Sequence, residues 1–131
     1  MTYLLDTSVL TRLREPRVTD RVAALTLARE ARTCTISTLE LGFSARNGHE
    51  FDSLIEQLRI FDSEQVIEAD FDRALHMQRA LAELGHRGRK IPDLLIASVA
   101  QRRGLAVLHY DQDFDLISRC SGQLTEWIVP R

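Results

Sequence analysis

Two short, continuous apolar runs constrain the fold of this chain more than any other feature of its sequence. Tyr3–Leu5 ends abruptly at Asp6, and Leu105–Leu108 is likewise followed by polar residues. Continuous apolar runs of this length are typical of parallel strands buried on both faces, because a strand with one solvated face alternates apolar and polar residues. Helices are therefore expected on both sides of the sheet that contains these strands.

Helical patterns separate the strands along the chain. Further strands are predicted at Thr33–Ile36, Gln65–Ile67 and Leu124–Val129. The predicted helices are residues 9–13, a segment capped by Thr19 that reaches Ala28, a segment from the capping box Ser37–Glu40 to about Asn47-Gly48, and residues 51–58, 69–84, 91–103 and 114–120. Alternating strands and helices predict an α/β fold, a three-layer α/β/α sandwich with a mostly parallel central sheet of about five strands.

The composition agrees with one ordinary soluble domain over residues 1–131. The chain is 44% hydrophobic and 27% charged, and it contains no internal repeat and no Pro-, Gly- or Ser-rich linker. No apolar run approaches the roughly 18 residues that a membrane span requires, and no secretory signal is expected before the first strand. Cys34 and Cys120 fit no zinc-binding spacing, so we expect reduced thiols and a cytoplasmic protein.

Acidic residues lie near the ends of the predicted strands. Asp6 comes directly after the first strand, and Glu40 lies in the first turn of the helix that follows the second. Asp111 and Asp113 follow the later of the two apolar runs, and Asp93 opens the helix that leads into it. Ligands of parallel α/β sheets bind beyond the carboxyl ends of the strands, so all five carboxylates could converge there.

Each of these carboxylates also has a purely structural explanation. Asp6 and Asp93 suit helix N-termini, Glu40 would complete a capping box, and the two later aspartates are common turn formers. Unpaired carboxylates that converge on one edge, however, repel each other and raise each other's pKa. A hard divalent cation removes that conflict, and oxygen-only ligands suit Mg²⁺ or Mn²⁺ rather than zinc. Such a site is typical of metal-assisted phosphodiester chemistry.

Four short motifs occur in the order Leu4–Ser8, Glu40-Leu41, Pro92–Ala97 and Tyr110–Phe114. Their residues and order, which span nearly the whole chain, resemble those of PIN-domain ribonucleases, and most of all the VapC toxins of bacterial type II toxin–antitoxin pairs. The resemblance implies a single PIN-like domain that acts as a Mg²⁺- or Mn²⁺-dependent endoribonuclease and inhibits growth. It also implies a homodimer that forms a hetero-oligomer with a cognate VapB-like antitoxin, whose C-terminal segment covers the site.

The resemblance further implies the roles of individual side chains. The catalytic, metal-holding quartet would be Asp6, Glu40, Asp93 and Asp111, with Asp113 as an assisting metal residue and Ser8 as a hydrogen-bond donor to a site carboxylate. Whether Asp111 or Asp113 is the main fourth ligand stays open, because the two lie close together in one turn. The apolar helix at residues 51–58 could supply an antitoxin surface, although core packing explains its apolar positions better.

The only dense basic segment, His86–Lys90, lies directly before Asp93. Arg87, Arg89 and Lys90 are candidates for binding RNA phosphates beside the cleavage site, while a solvated loop between two helices explains the same charges. The formal net charge of −2 argues on its face against a nucleic-acid ligand. Without the five site carboxylates it becomes +3, which is compatible with an RNA substrate.

Alternative functions share parts of this pattern. A PIN-like module that binds RNA or protein without cleaving it would have the same fold, although the intact acidic set argues against it. A haloacid-dehalogenase-like phosphotransfer enzyme would need a second Asp where Ser8 stands. A response-regulator receiver would need a Lys after a late strand, whereas the only Lys, Lys90, precedes it.

The aromatic residues and histidines near the end of the chain carry weaker signals. His109 and Tyr110 flank Asp111 and could contact a substrate. Trp127 and the five phenylalanines do not cluster on one predicted face, so we expect them in the core rather than in a platform for stacking bases.

Overall fold

A computed structural model describes residues 1–88 and 90–131 and shows a parallel sheet with helices on both faces. The strands are β1 (Tyr3–Leu5), β2 (Ala31–Cys34), β3 (Asp62–Glu64), β4 (Ala106–His109) and β5 (Thr125–Trp127). In this part of the chain they form one five-stranded sheet in the order β3-β2-β1-β4-β5. Every pairing is parallel, which confirms the predicted sheet.

Helices connect successive strands. They are α1 (Thr7–Leu10), α2 (Pro16–Leu27), α3 (Thr35–Gly42), α4 (Gly48–Leu58), α5 (Glu68–Glu83), α6 (Ile91–Arg103) and α7 (Asp113–Ser121). Each helical connection carries the chain back to the side of the sheet on which the strands begin. The carboxyl ends of all five strands therefore lie along the same edge of the sheet. None of the helices in the described ranges is long and apolar enough to cross a bilayer.

The two faces of the sheet bury separate apolar clusters. Leu4 and Val107 contribute to a cluster formed with α5, α6 and α7. Their neighbours Leu5 and Leu108 contribute to the cluster on the opposite face, with α1 and α2. Successive side chains of a strand point to opposite faces, and all four are buried. The three-layer α/β/α sandwich is therefore confirmed.

Two predicted helix boundaries near the N-terminus are wrong. α2 begins at Pro16 with Glu15 as its N-cap residue, so Thr19 lies inside the helix rather than at its cap. Proline fixes a helical φ and needs no intrahelical N–H partner, which favours it at the first helical positions. The helix predicted to reach Asn47-Gly48 ends at Gly42. Asn47 is instead the N-cap residue of α4, and its side chain accepts the Glu50 amide N–H at 2.9 Å.

The predicted capping box at Ser37–Glu40 is also wrong. α3 begins at Thr35 directly after β2, with Cys34 as its N-cap residue. Ser37 is therefore a buried residue inside the helix, and its hydroxyl donates to the Leu5 carbonyl at 3.4 Å. Glu40 consequently lies in the second and last turn of this short helix rather than in the first turn.

The third strand lies earlier in the sequence than its prediction. β3 covers Asp62–Glu64 rather than Gln65–Ile67, because Ile67 is already the N-cap residue of α5 and donates its amide N–H to the Asp70 carboxylate. The remaining predicted strands and helices are confirmed with shifts of a few residues at their ends. Cys34 and Cys120 are free thiols, as predicted.

Candidate metal centre

The structure brings the predicted carboxylates to the edge at which the parallel strands end. Asp6 follows β1 and is the N-cap residue of α1, and Glu40 projects from α3. Asp93 lies in the first turn of α6, Asp111 follows β4, and Asp113 is the first residue of α7. Four different segments therefore contribute acidic groups, because the crossovers of a parallel sheet return each strand to the same edge.

Asp93, Asp111 and Asp113 form the tightest acidic group among the described residues. Each offers a carboxylate oxygen, and these oxygens all lie within 4.8 Å of one another. The Asp113 amide N–H donates to Asp111 Oδ1 at 2.9 Å, and the Lys90 ammonium lies 3.5 Å from Asp111 Oδ2. The carboxylates of Asp111 and Asp113 therefore both lie in this acidic group. From the sequence, it was open which of the two would be the main fourth ligand.

Asp6 is held on one side by Ser8. The Ser8 amide N–H donates to Asp6 Oδ2 at 3.0 Å, and the Ser8 hydroxyl donates to the same oxygen at 2.5 Å. This is the contact that the family resemblance implied for Ser8, and it fixes the orientation of the carboxylate. The other oxygen, Asp6 Oδ1, is buried and accepts no hydrogen bond from the described residues.

Glu40 is oriented by a residue that sequence reasoning missed. The Thr7 hydroxyl donates to Glu40 Oε1 at 2.7 Å, across 33 positions of the chain. Thr7 lies inside the Leu4–Ser8 motif, but a sequence contains no signal for a contact between the first turn of α1 and the second turn of α3. The Thr7 hydroxyl thereby holds the Glu40 carboxylate in one orientation.

In the metal-free chain, the neighbouring carboxylates repel one another when they are ionised. Burial, followed by the charges of Asp6 and Asp111, raises the pKa of Asp93 to about 8. Burial also raises the pKa of Asp6. The hydrogen bonds from Ser8 lower this pKa and the charge of Glu40 raises it, but burial has the largest effect. Lys90 has a raised pKa because Asp111 and then Asp93 favour its charged form.

The residues present fit a divalent cation. Asp93 Oδ2, like Asp6 Oδ1, is buried and has no hydrogen-bond partner in residues 1–88 and 90–131. Buried carboxylate oxygens without partners are costly, and binding of a cation would remove both the missing contacts and the mutual repulsion. The candidate ligand atoms are all carboxylate oxygens, which hard cations such as Mg²⁺ and Mn²⁺ prefer.

Two aromatic predictions near this edge need correction. His109 is fully buried between Phe114 and Trp127, each with its ring centroid 5.0 Å away, so it does not reach a substrate. Burial lowers its pKa to about 4, and His109 Nδ1 accepts the Asp111 amide N–H at 3.2 Å. Phe61 and Phe114 lie in the core as predicted, but Phe43, Phe51 and Phe71 are exposed. Trp127 is only half-buried at the site edge and is not a core residue.

The basic segment between α5 and α6 is placed only in part. Arg87 is exposed, and Lys90 is exposed while its ammonium contacts Asp111. The prediction for Arg89 lies outside the described residues. Of the predicted phosphate-binding residues, Lys90 is thus the one whose contact with the carboxylates the structure describes.

Comparison with known proteins identifies the family. The sequence matches the PIN domain over residues 3–119, and the chain therefore belongs to the PIN-domain family. Within that family it is similar to VapC proteins, which confirms the resemblance noted in the sequence. It is 49% identical over 128 residues to Ribonuclease VapC51 of Mycobacterium tuberculosis, covering 98% of this chain and 93% of that protein. It is 37% identical to Ribonuclease VapC18 of the same species, covering 100% and 98%.

Solved structures show the same fold. VapBC2 from Rickettsia felis, bound to a DNA fragment from its promoter, matches with a TM-score of 0.81 at 16% identity and covers 97% of this chain and 98% of that chain. VapBC-5 from Mycobacterium tuberculosis, a member of the VapBC family of toxin–antitoxin systems, matches with a TM-score of 0.67 at 26% identity and covers 98% of both chains.

Proposed function

We propose that this chain is a Mg²⁺- or Mn²⁺-dependent endoribonuclease, the toxin of a type II toxin–antitoxin pair. The observation that carries the proposal is the group of carboxylate oxygens of Asp93, Asp111 and Asp113 within 4.8 Å of one another. Buried oxygens of Asp6 and Asp93 that have no hydrogen-bond partner among the described residues add to it. The extensive identity to proteins named ribonuclease supports RNA as the substrate.

Asp6, Glu40, Asp93, Asp111 and Asp113 would hold the cation. When bound, the cation would polarise the scissile phosphate and lower the pKa of an attacking water. Ser8 and Thr7 keep the carboxylates of Asp6 and Glu40 oriented toward the edge. A carboxylate of this set would accept the proton that the water loses.

Cations of the chain would counter the repulsion between RNA phosphates and this acidic edge. Lys90 stands against Asp111, where it lowers the negative potential next to the cleavage site. Arg87 and Arg89 would extend the contact along the RNA backbone. Each contact with a phosphate releases counterions, so binding should weaken as the salt concentration rises.

The partner that would neutralise the toxin is a VapB-like antitoxin. Exposed apolar side chains flank Glu40 on α3: Phe43 is 93% exposed and Leu39 is 64% exposed. A segment that covers Phe43 and Leu39 would also cover Glu40 and thereby block the site. We propose that a homodimer of this chain binds two such segments, as a hetero-oligomer of toxin and antitoxin. The solved VapBC structures with the same fold support an antitoxin as the partner.

The experiment is cleavage of total and transfer RNA by the purified chain, with Mg²⁺, Mn²⁺ or a chelator. Cleavage is expected with either cation and not with the chelator. Asp93→Asn should reduce cleavage to the level of the chelated protein, because the variant loses one ligand charge at the tightest part of the group. Asp52→Asn changes an exposed aspartate on α4 in the same way and should leave cleavage unchanged.

Two outcomes separate the alternatives. Full cleavage by a correctly folded Asp93→Asn protein would overturn the assignment of the metal site. Binding of RNA without cleavage under every metal condition would instead identify a silent PIN-like module.

A further inference from the structure

An arginine and two aromatic side chains adjoin the carboxylates on the β4 and β5 side of the edge. Tyr110 directly precedes Asp111, and the Arg12 guanidinium lies over the Tyr110 ring, 4.0 Å from its centroid. Trp127 meets the Tyr110 ring edge-on, at 5.3 Å and 83°. Because β4 and β5 pair with His109 opposite Trp127, this cluster lies where the strands end. We call Arg12, Tyr110 and Trp127 the stacking unit.

Trp127 is fixed as the base of the stacking unit. Its indole N–H donates to Asp115 Oδ1 at 3.2 Å, and its carbonyl accepts from Arg21 at 2.9 Å. The buried His109 ring packs against it at 5.0 Å. A side chain held by its ring and by its backbone has little freedom left to lose, so it supports Tyr110 at a low entropic cost.

The stacking unit is tied directly to the candidate metal centre. The Tyr110 amide N–H donates to Ser8 Oγ at 2.9 Å, and the same hydroxyl donates to Asp6 Oδ2. Tyr110 and Asp111 are neighbours in the chain. A group bound on the stacking unit is therefore held in a defined position relative to the carboxylates.

Arg12 remains accessible above the Tyr110 ring. Its side chain is 39% exposed, and its ion pair with the exposed Glu15 is long, at 3.5 Å. Exposed pairs of this kind contribute little, so Glu15 does not compete strongly for the guanidinium. A planar guanidinium that stacks on one aromatic ring is also a surface on which an RNA base can stack.

We propose that Arg12, supported by Tyr110 and Trp127, stacks against a nucleobase of the RNA next to the scissile phosphate. The inference rests on the proposed function, because it names the part of the RNA that this site would hold. The carboxylate edge repels phosphates, whereas base stacking does not depend on charge. Stacking thus supplies affinity at the place where the electrostatic contribution of the chain is least favourable.

The test separates stacking from charge at Arg12. Arg12→Ala removes both, whereas Arg12→Lys keeps the charge and removes the planar group. Both variants should raise KM for cleavage of single-stranded RNA about tenfold and leave kcat within about twofold. Arg59→Ala is the control: this exposed arginine ends α4 at the opposite edge of the sheet, and its KM should equal that of the wild type.

A fluorescent base provides a second readout. Single-stranded oligoribonucleotides that carry 2-aminopurine at successive positions are bound in buffer with a chelator, where no cleavage occurs. One position should be quenched by the wild-type chain and not by Arg12→Lys, because stacking quenches this base. Tyr110→Phe keeps the supporting ring and should keep the quenching, whereas Tyr110→Leu should lose it.

The outcomes distinguish this inference from the proposed function. Wild-type KM and quenching in Arg12→Lys would mean that the charge alone matters, and would overturn the inference. Cleavage by the wild type with unchanged KM in both Arg12 variants would overturn it as well, while the nuclease assignment stands. A wild-type chain that neither binds nor cleaves RNA would remove both.

Discussion

In the metal-free protein, the free energy of unfolding should fall as the pH rises from about 6.5 to about 8. Asp93 has a pKa of about 8 in the folded chain, compared with 3.8 for an unperturbed aspartate. Between these values the folded state binds one more proton than the unfolded state. Stability therefore declines as the pH rises through this window, and the contribution is lost above the folded pKa. The raised pKa of Asp6 acts in the same direction.

His109 opposes this effect over the lower part of the range. Its pKa falls from 6.5 to about 4 on folding, so the unfolded state binds the additional proton between those values and stability rises with pH there. The two contributions nearly cancel below about pH 6.5. Above it the Asp93 contribution remains, at about 1.4 kcal/mol per pH unit, which gives an upper limit of about 2 kcal/mol lost by pH 8.

Urea denaturation at pH 6.5 and pH 8 in the presence of a chelator measures this loss. Asp93→Asn should remove most of the decline and leave only the smaller contribution of Asp6. Asp52→Asn, on the exposed face of α4, should keep the full decline. At pH 8, Mn²⁺ at about a hundred times its dissociation constant should restore about 2.7 kcal/mol to the wild type. A wild type whose stability is constant or rises between these pH values, or an Asp93→Asn protein that retains the full decline, would contradict this prediction.

Three further variants test separate parts of the molecule. Lys90→Ala should lower the slope of RNA affinity against salt concentration by about one counterion, measured by a titration with potassium chloride. Ser8→Ala removes the hydroxyl that orients Asp6, and should reduce cleavage about tenfold or more with an unchanged circular dichroism spectrum. Asp70→Ala removes the buried partner of Arg102 and should cost about 2–3 kcal/mol in urea denaturation, while the folded fraction keeps its activity.

Each of these three variants also has a contradicting result. An unchanged salt slope would place Lys90 outside the RNA contact. Wild-type cleavage by Ser8→Ala at limiting metal would mean that Asp6 needs no support. Wild-type stability of Asp70→Ala would mean that its ion pair contributes nothing net to folding.

The parallel sheet, and the side on which its strands end, could be predicted because the sequences of β1 and β4 are continuous apolar runs. Leu4 and Leu5 enter opposite cores, and only a strand covered on both faces needs both to be apolar. Once the strands are parallel, the residues that follow them must meet at one edge. The approach of Asp6, Asp93 and Asp111 follows from that topology rather than from any local motif.

β3 could not be predicted because its sequence lacks an apolar pattern. Its one buried side chain is Glu64, which is ion-paired with Arg32 and Arg103. β3 is an outermost strand of the sheet. Because its one buried side chain is an ion-paired carboxylate, its sequence contains no apolar pattern that would predict a strand. The strand was predicted at Gln65–Ile67 because Val66 and Ile67 are apolar, but these residues lie between β3 and α5.

The capping box predicted at Ser37–Glu40 was wrong because the position of β2, and not the local motif, decides where α3 begins. Ser37 and Glu40 have the right spacing, but β2 passes directly into α3, so the helix starts before the motif. The same limit applies at the site. Contacts such as Thr7 with Glu40 and Arg12 with Tyr110 join distant segments, and nothing in the local sequence encodes them.

Anomalous diffraction from crystals grown with Mn²⁺ would show whether the carboxylates at the strand ends form a metal centre. We expect a manganese peak bounded by oxygens of Asp93, Asp111 and Asp113, within about 2.0–2.4 Å of its ligands, and no such peak in Asp93→Asn crystals. Clear density for these carboxylates without a peak, at a saturating concentration of Mn²⁺, would contradict it.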